Sequence, residues 1–221
     1  MLKVLGRANS SNVQKVMWTI GELGLAHERV DLGGAYGGLD KPEYVAMNPN
    51  GVVPTLIDGD LVLWESNTMV RYLAAKHDAG GLWPQEPERR AVADMWMDWQ
   101  QTTLLRDWVA VFFGVYRTPQ QYRDKAANEA AVQRLGRLYG ILDARLEGRA
   151  FIAGERLTMG DIPLGMSLYR YFEMDIERPR LPNVEAWYAR LQERPAYRQH
   201  AMVDFSAMKD TLIPEGAKKK G

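Results

Sequence analysis

Asn48 to Leu73 reads Asn-Pro-Asn-Gly-Val-Val-Pro-Thr-Leu-Ile-Asp-Gly-Asp-Leu-Val-Leu-Trp-Glu-Ser-Asn-Thr-Met-Val-Arg-Tyr-Leu. Two short apolar runs, Thr55 to Ile57 and Leu61 to Trp64, flank Asp58-Gly59. Glycine reaches positive φ without steric cost, so an Asp-Gly pair in this setting predicts a tight antiparallel hairpin. Met69, Val70, Leu73 and Ala74 then recur at helical spacing, with Ser66 or Asn67 placed to cap the helix start. Pro54 opens the first strand, where a missing N–H does little harm, and the bond before it is a candidate for cis geometry.

Upstream of this run, Leu2 to Leu5 is a short apolar strand candidate, and Gly6 to Asn12 is a polar loop ending in residues that favour a helix N-cap. Val13, Val16, Met17, Ile20 and Leu23 share one helical face, and Gly24 is suited to close that helix. His27 to Leu32 reads as a second strand. Gly33 to Gly38 is a glycine-dense loop that lets backbone approach a ligand closely, but it lacks the Gly-x-x-x-x-Gly-Lys-Ser/Thr spacing of a phosphate-binding loop. Pro42 to Met47 allows one or two helical turns. The order β-α-β-(α)-β-β-α predicts an α/β layer whose first unit is parallel and right-handed.

Downstream, Asp78, Gly80, Gly81, Pro84 and Pro87 interrupt regular structure repeatedly. Residues 78–88 are therefore expected to link a first domain at 1–77 to a second at 89–221, which reads helical throughout. Arg89 to Tyr116 is one long amphipathic segment. A second long helix is expected from about Pro119 to Leu146, with Ala131, Leu135, Leu138, Leu142 and Leu146 on its core face and Gly148 at its end. Two long helices with a short connection make an antiparallel pair. Thr158 and Asp161 have capping-box spacing, with Leu157 and Ile162 placed as the staple across it, which gives Asp161 a structural role. Pro182 to Arg194 is a further helix, stopped before Pro195, and Lys218 to Lys220 reads as a solvated charge run. The predicted class is α/β plus all-α.

Composition narrows the function. With 46% apolar residues, 25% charged residues and zero net charge, the chain fits a soluble globular protein and shows no basic excess for nucleic acid. Met1 to Gly6 is too short, and too polar at Lys3 and Arg7, to read as a signal peptide. Trp108 to Phe113 falls far short of the ~20 apolar residues that span a bilayer. A cytoplasmic protein with neither a nucleic-acid nor a membrane partner is expected. There is no cysteine, so a disulfide, a Cys-x-x-Cys centre and a thiolate zinc site are all excluded. His27, His77 and His200 are scattered without ligand spacing, and no metal is expected.

Val53-Pro54 ahead of a hairpin, followed by Glu65-Ser66-Asn67 at a helix start, resembles the glutathione-binding half of the glutathione transferase family. The likeness extends over essentially the whole chain, including Met-Asn-Pro-Asn-Gly at 47–51, the capped start at Thr158 to Asp161, and Tyr188 to Pro195. It implies an N-terminal thioredoxin-like domain, a C-terminal helical bundle domain, a cis bond before Pro54, and glutathione as co-substrate. It further implies that Val53 pairs its backbone with the cysteinyl part of glutathione, while Glu65 and Ser66, at the helix start with Asn67, hold the γ-glutamyl end. Several classes place Lys, Arg or Gln two residues before the proline to hold the glycyl carboxylate. Here that position is Val52, which leaves Lys41, Asn50 and the backbone near Gly38 as candidates.

By the same resemblance, thiol activation falls to Ser10-Ser11-Asn12, just ahead of the first helix. Counted back from Gly24, Ser10 matches the catalytic serine of the theta and zeta classes. Asn12 matches the beta-class cysteine and the nu-class asparagine, and Ser11 is adjacent; all three stand as candidates. The absence of tyrosine from Met1 to Asn12 argues against the tyrosine-using classes. The family also implies a two-fold homodimer and a small electrophile bound between the domains. Trp99, Arg106, Trp108, Phe112 and Tyr116 are the residues placed to line that second site.

The chemistry asked of the chain is modest. A free thiol has a pKa near ~8.5, so only a few per cent is ionised at neutral pH. Lowering it by two units needs ~2.7 kcal/mol of preference for the thiolate. A helix N-terminus supplies ~0.3–1 kcal/mol, and each hydrogen bond to the charged sulfur ~1.5–3 kcal/mol. No base or metal is required. The resulting reading is an enzyme that directs the glutathione thiolate at soft electrophiles by conjugation or dehalogenation. A glutathione-dependent disulfide or peroxide reductase, and a non-catalytic module of the same fold, are the alternatives.

Overall fold

The computed structural model describes residues 1–213, so the Lys218 to Lys220 run lies outside the described residues. Leu2–Leu5 (β1), His27–Val30 (β2), Thr55–Asp58 (β3) and Leu61–Leu63 (β4) form one sheet in the order β2-β1-β3-β4. β1 and β2 are parallel, with Leu2 opposite His27, as a β-α-β unit requires. β3 is antiparallel to β1, with Val4 opposite Leu56, and β4 is antiparallel to β3, with Leu56 opposite Leu63. The hairpin turn sits one residue later than Asp58-Gly59 suggests. Asp58 stays in β3 opposite Leu61, and Gly59-Asp60 make the turn with Gly59 at φ +61°. β2 stops at Val30 rather than Leu32 because its partner β1 ends at Leu5.

Ser11–Glu22 (α1) and Ser66–His77 (α3) pack side by side on this sheet, and the short Pro42–Met47 (α2) adds Tyr44 to the same core. Val13, Val16, Ile20, Met69 and Leu73 join Val4 and Leu56 there, all without solvent exposure. This is the face that the apolar spacing of α1 marks out.

From Pro87 the chain is helical to Arg117, but not uniformly. Pro87–Trp99 (α4) and Leu105–Val111 (α5) are α-helical, while Gln100–Leu104 and Phe112–Arg117 are π-helical. Each π stretch re-phases the side chains that follow, and such stretches recur beside functional sites. The second long helix, Lys125–Leu146 (α6), starts later than Pro119. Gln120–Tyr122 forms a 3-10 turn, and the Asp124 carboxylate accepts the Ala127 N–H at 3.0 Å, which makes Asp124 the true cap. Asp161–Gly165 (α7), Leu168–Glu173 (α8), Pro182–Gln192 (α9) and Pro195–His200 (α10) complete the helical domain. α9 ends two residues before Arg194, which instead takes the cap position of α10. Among the described residues no helix is long and apolar enough to cross a membrane.

The opposite face of α1 is buried too, against the second domain. Trp18 is fully buried and meets Tyr197 of α10 edge-on at 4.8 Å. Gly21 permits that approach: a Cβ there would lie 3.0 Å from Ala196 Cβ and 2.8 Å from the His200 ring. Arg194 then grips Glu22 with two hydrogen bonds at 2.8 and 2.6 Å.

Asp161 organises the second domain from inside. Its carboxylate accepts from Ile152 N–H at 2.8 Å, from Thr158 N–H at 2.8 Å and from the Thr158 hydroxyl at 3.1 Å. One arm of the capping box is therefore present, while the other is altered: the Thr158 hydroxyl donates to Asp161, whose own N–H goes to the Thr158 carbonyl at 3.0 Å. Complete burial pushes the Asp161 carboxyl up to about 6, against the pull of these donors.

Candidate active site

Two helix starts and one turn converge. The loop after β1 delivers Ser10 at the cap position of α1, with φ −83° and ψ 124°; the side chain is buried and makes no capping bond. Asn12 follows in the first turn, and its Oδ1 accepts the Ser66 hydroxyl at 3.3 Å. That contact joins the start of α1 to the start of α3.

The start of α3 is not capped by Ser66 or Asn67. Glu65 holds the cap position at φ +73°, without a side-chain cap bond. A non-glycine residue in the left-handed region carries ~1–3 kcal/mol of strain, which persists where the surroundings enforce it and clusters at ligand sites. Its consequence here is that Ser66 and Asn67 serve different neighbours. Ser66 turns toward Asn12, while the Asn67 amide donates to Met97 carbonyl at 3.2 Å and Gln101 Oε1 at 3.1 Å, tying α3 to α4.

The turn before β3 is held just as firmly. The Val53-Pro54 bond is cis. The Val52 carbonyl accepts from Tyr44 hydroxyl at 2.6 Å and from Asn48 Nδ2 at 2.7 Å. Asn48 Oδ1 in turn takes the Asn50 N–H at 3.1 Å and its side-chain amide at 3.2 Å. Asn12, Asn50, Val53, Pro54, Glu65 and Ser66, with Asn48, Val52 and Trp64, line one hollow of about 60 Å³. Ser10, Ser11, Gly38, Lys41 and Asn67 are not in its lining. Lys41 is exposed at the cap of α2, and Gly38 is a half-buried loop residue with φ +81°.

Larger surface hollows exist, one of about 570 Å³ between the start of α6 and the loop at Asp175 to Glu177. None of the catalytic or glutathione-binding candidates lines it, so size does not mark the site here.

The electrophile candidates fall into two environments. Trp108 and Phe112 are both 2% exposed and stack at 5.2 Å; Trp108 Nε1 also donates to the Ser167 carbonyl at 3.2 Å. They stand behind the surface. Tyr116 continues the stack at 5.6 Å from Phe112 and is half-buried, Trp99 packs edge-on against Trp96, and Arg106 is exposed.

Several polar residues at this junction escape the sequence reading. Lys15 is 1% exposed, with Nζ donating to Gln100 Oε1 at 3.3 Å. Burial pushes its pKa down to about 8, opposed by the charge of Glu65. Gln14 beside it is equally buried, and its amide has no partner among the described residues. Arg170 of α8 crosses the domain boundary to donate to the Asn9 carbonyl at 2.7 Å. The apolar periodicity of α1 gives no sign of Lys15 or Gln14, because it reports only the face turned to the sheet. Among the described residues no group of three or more His, Asp or Glu side chains is arranged to hold a metal.

A four-stranded thioredoxin-like domain, with a small hollow at its cis-proline turn and backed by an all-helical domain, defines a two-domain thioredoxin-like protein. Residues 5–86 match the family described as "Glutathione S-transferase, N-terminal domain", and residues 105–195 match "Glutathione S-transferase, C-terminal domain". The chain is 40% identical over 208 residues to "Glutathione S-transferase GstB" of Escherichia coli K12, covering 93% of this chain and all of that protein. It is also similar to the crystal structure of the theta class glutathione S-transferase from Xanthomonas axonopodis pv. citri with glutathione bound. That match has a TM-score of 0.88 and 51% identity, over 92% of this chain and 98% of the other. Glutathione transferase BmGSTD1 of Bombyx mori shares the fold, with a TM-score of 0.85 at 24% identity over 96% of this chain and 97% of that one. The chain belongs to the glutathione S-transferase family.

Proposed function

We propose that this chain is a glutathione transferase that binds glutathione at the α1–α3 junction, ionises its thiol there and directs the thiolate at a soft electrophile. The observation that carries the reading is the Asn12–Ser66 contact at 3.3 Å, beside a Glu65 held at φ +73°. Two helix N-termini and an acid side chain suit the γ-glutamyl end, whose carboxylate meets free N–H groups and whose ammonium meets Glu65. Val53 supplies backbone to the cysteinyl part. Gly38, Lys41 and Asn50 remain the candidates for the glycyl carboxylate, and Ser10, Ser11 and Asn12 those for the thiol.

In this reading residues 1–77 form the glutathione-binding domain, 78–88 the linker and 89–221 the domain that contributes the electrophile site. The working form is a cytoplasmic homodimer. The dimer's support is apolar exposure at the sheet edge: Leu61 and Val62 of β4 and Trp64 just past it are open to solvent, with Met95 of α4 also exposed.

The experiment is conjugation of glutathione by the purified protein to a panel of aryl and alkyl halides, epoxides and mixed disulfides. Accelerated thioether formation from a halide or epoxide supports the transferase. Turnover confined to mixed disulfides would make it a reductase, and none on any acceptor would leave a binding module.

A further inference from the structure

Three arginines stand around the thiol-activating loop, and none has a carboxylate partner among the described residues. Arg170 is 2% exposed; its Nη2 is held by the Asn9 carbonyl and its Nε has no partner among the described residues. Its guanidinium lies 5.0 Å from the Phe112 ring centroid and 5.3 Å from that of Phe205. Arg117 ends the second π stretch with its guanidinium 5.0 Å over Phe113, and its Nε is likewise buried and unpartnered. Arg7, three residues before Ser10, is half-buried against Gly34, where a Cβ would meet Arg7 Nε at 3.1 Å.

These cations feel one another. Burial and then the charge of Arg117 lower the pKa of Arg7, and Arg7 and Arg117 both act on Arg170, which burial first of all pushes down to about 10. Three acids on neighbouring segments are engaged elsewhere. Asp204 accepts the Ser206 N–H and hydroxyl at 3.0 and 2.8 Å, Asp210 pairs with Arg123 at 3.2 Å, and Asp31 pairs with Arg29. Ring stacking and the Asn9 contact partly satisfy Arg170, and the Phe113 ring and a hydrogen bond from Arg117 Nη2 to the Thr211 hydroxyl at 3.4 Å partly satisfy Arg117. They leave the buried Nε donors of Arg117 and Arg170 unfilled beside the third cation Arg7, an arrangement that burial disfavours unless an anion fills it.

We propose that Arg7, Arg117 and Arg170 form an anion subsite of the electrophile site, and that the preferred electrophiles are small aromatic molecules bearing a carboxylate or similar compact oxyanion. This rests on the transferase reading above. The Arg170–Asn9 contact at 2.7 Å sets the subsite one residue from Ser10, beside the loop that carries the thiol candidates. Arginine's planar fork suits a carboxylate in two hydrogen bonds, and the aromatic side chains around it, Phe113 and Tyr116 among them, suit an aromatic body. For an aryl chloride the thiol proton leaves to water first. The sulfur lone pair then forms the C–S bond, and chloride departs with the C–Cl pair.

The test compares 4-chloro-3-nitrobenzoate with 4-chloro-3-nitrobenzamide, which share ring and leaving group and differ in charge. After correction for the uncatalysed rates, kcat/KM is expected to favour the acid, and the preference to fall about tenfold or more in Arg117→Gln and in Arg7→Gln. Calorimetry with the unreactive pair 3-nitrobenzoate and 3-nitrobenzamide should show the same selectivity and the same loss. Equal binding of acid and amide by the parent protein overturns the subsite. So does a weakened glutathione affinity in both variants with the acid preference intact, which would give these arginines to the glycyl carboxylate. Acid-selective binding without turnover of either chloride would support the subsite and count against the transferase reading alone.

Discussion

Alanine in turn at Ser10, Ser11 and Asn12 addresses how the bound sulfur is ionised. The structure distinguishes the three. The Ser10 hydroxyl makes no capping bond and so stays available to a ligand. Asn12 spends its Oδ1 on the Ser66 hydroxyl, which leaves its amide N–H groups as donors. Ser11 is half-buried in the first turn of α1. One hydrogen bond to a charged acceptor is worth ~1.5–3 kcal/mol, which is about one to two pKa units. The helix terminus that all variants retain supplies ~0.3–1 kcal/mol, under about one unit. Ultraviolet titration of the thiolate in the glutathione complex therefore separates the two sources. The activating residue is the one whose loss raises the thiol pKa by about one to two units. If that residue is Asn12, glutathione affinity falls as well, because Ser66 loses its acceptor; if it is Ser10, affinity stays near that of the parent. Three variants that titrate like the parent would refute hydrogen-bond activation from this loop.

Other expectations are independent of that one. Asp161→Ala leaves two backbone N–H groups and one hydroxyl without an acceptor in a buried site, at ~1–3 kcal/mol each and partly offset by relief of carboxylate burial. Urea unfolding should show a loss of ~3 kcal/mol or more, and a loss under ~1 kcal/mol would contradict the account. Lys15 has a folded pKa of about 8 against an ordinary 10.5, so between these values the unfolded chain binds the extra proton. Stability of the parent relative to Lys15→Met should therefore rise through that window, by up to ~3 kcal/mol, and a flat difference from pH 8 to 10.5 would refute it. Light scattering at micromolar concentration should report about twice the 25.1 kDa of the chain, and a species of one chain mass would remove the dimer.

Much of the first domain is legible in the sequence because its signals are local. The glycine turn at Gly59, the single apolar face of α1 and the Asn-Pro-Asn-Gly run ahead of Pro54 each act over a few residues. Boundaries that depend on a competitor are harder to read. The start of α6 moved from Pro119 to Lys125 because Asp124 offers the better cap, and β2 stopped where its partner strand stopped. Least legible are the residues whose environment is made by the other domain. Lys15 and Gln14 look like solvent-facing positions on a helix wheel until the second domain covers them. Arg170 lies 161 residues from the carbonyl it reaches, and no pattern within α8 announces that contact. The π stretches at 100–104 and 112–117 likewise interrupt a segment whose amphipathic spacing reads as one helix.

The most direct measurement is a pair of calorimetric titrations of the parent protein, one with glutathione and one with cysteinylglycine, which keeps the thiol and the glycyl carboxylate but lacks the γ-glutamyl group. In the proposed reading Glu65 and Ser66, which line the hollow with Asn12, hold that missing end. The account predicts one glutathione bound per chain and cysteinylglycine weakened by ~3 kcal/mol or more, since it forfeits charge-assisted bonds of ~1.5–3 kcal/mol each. No binding of glutathione, or equal binding of the two, would contradict it.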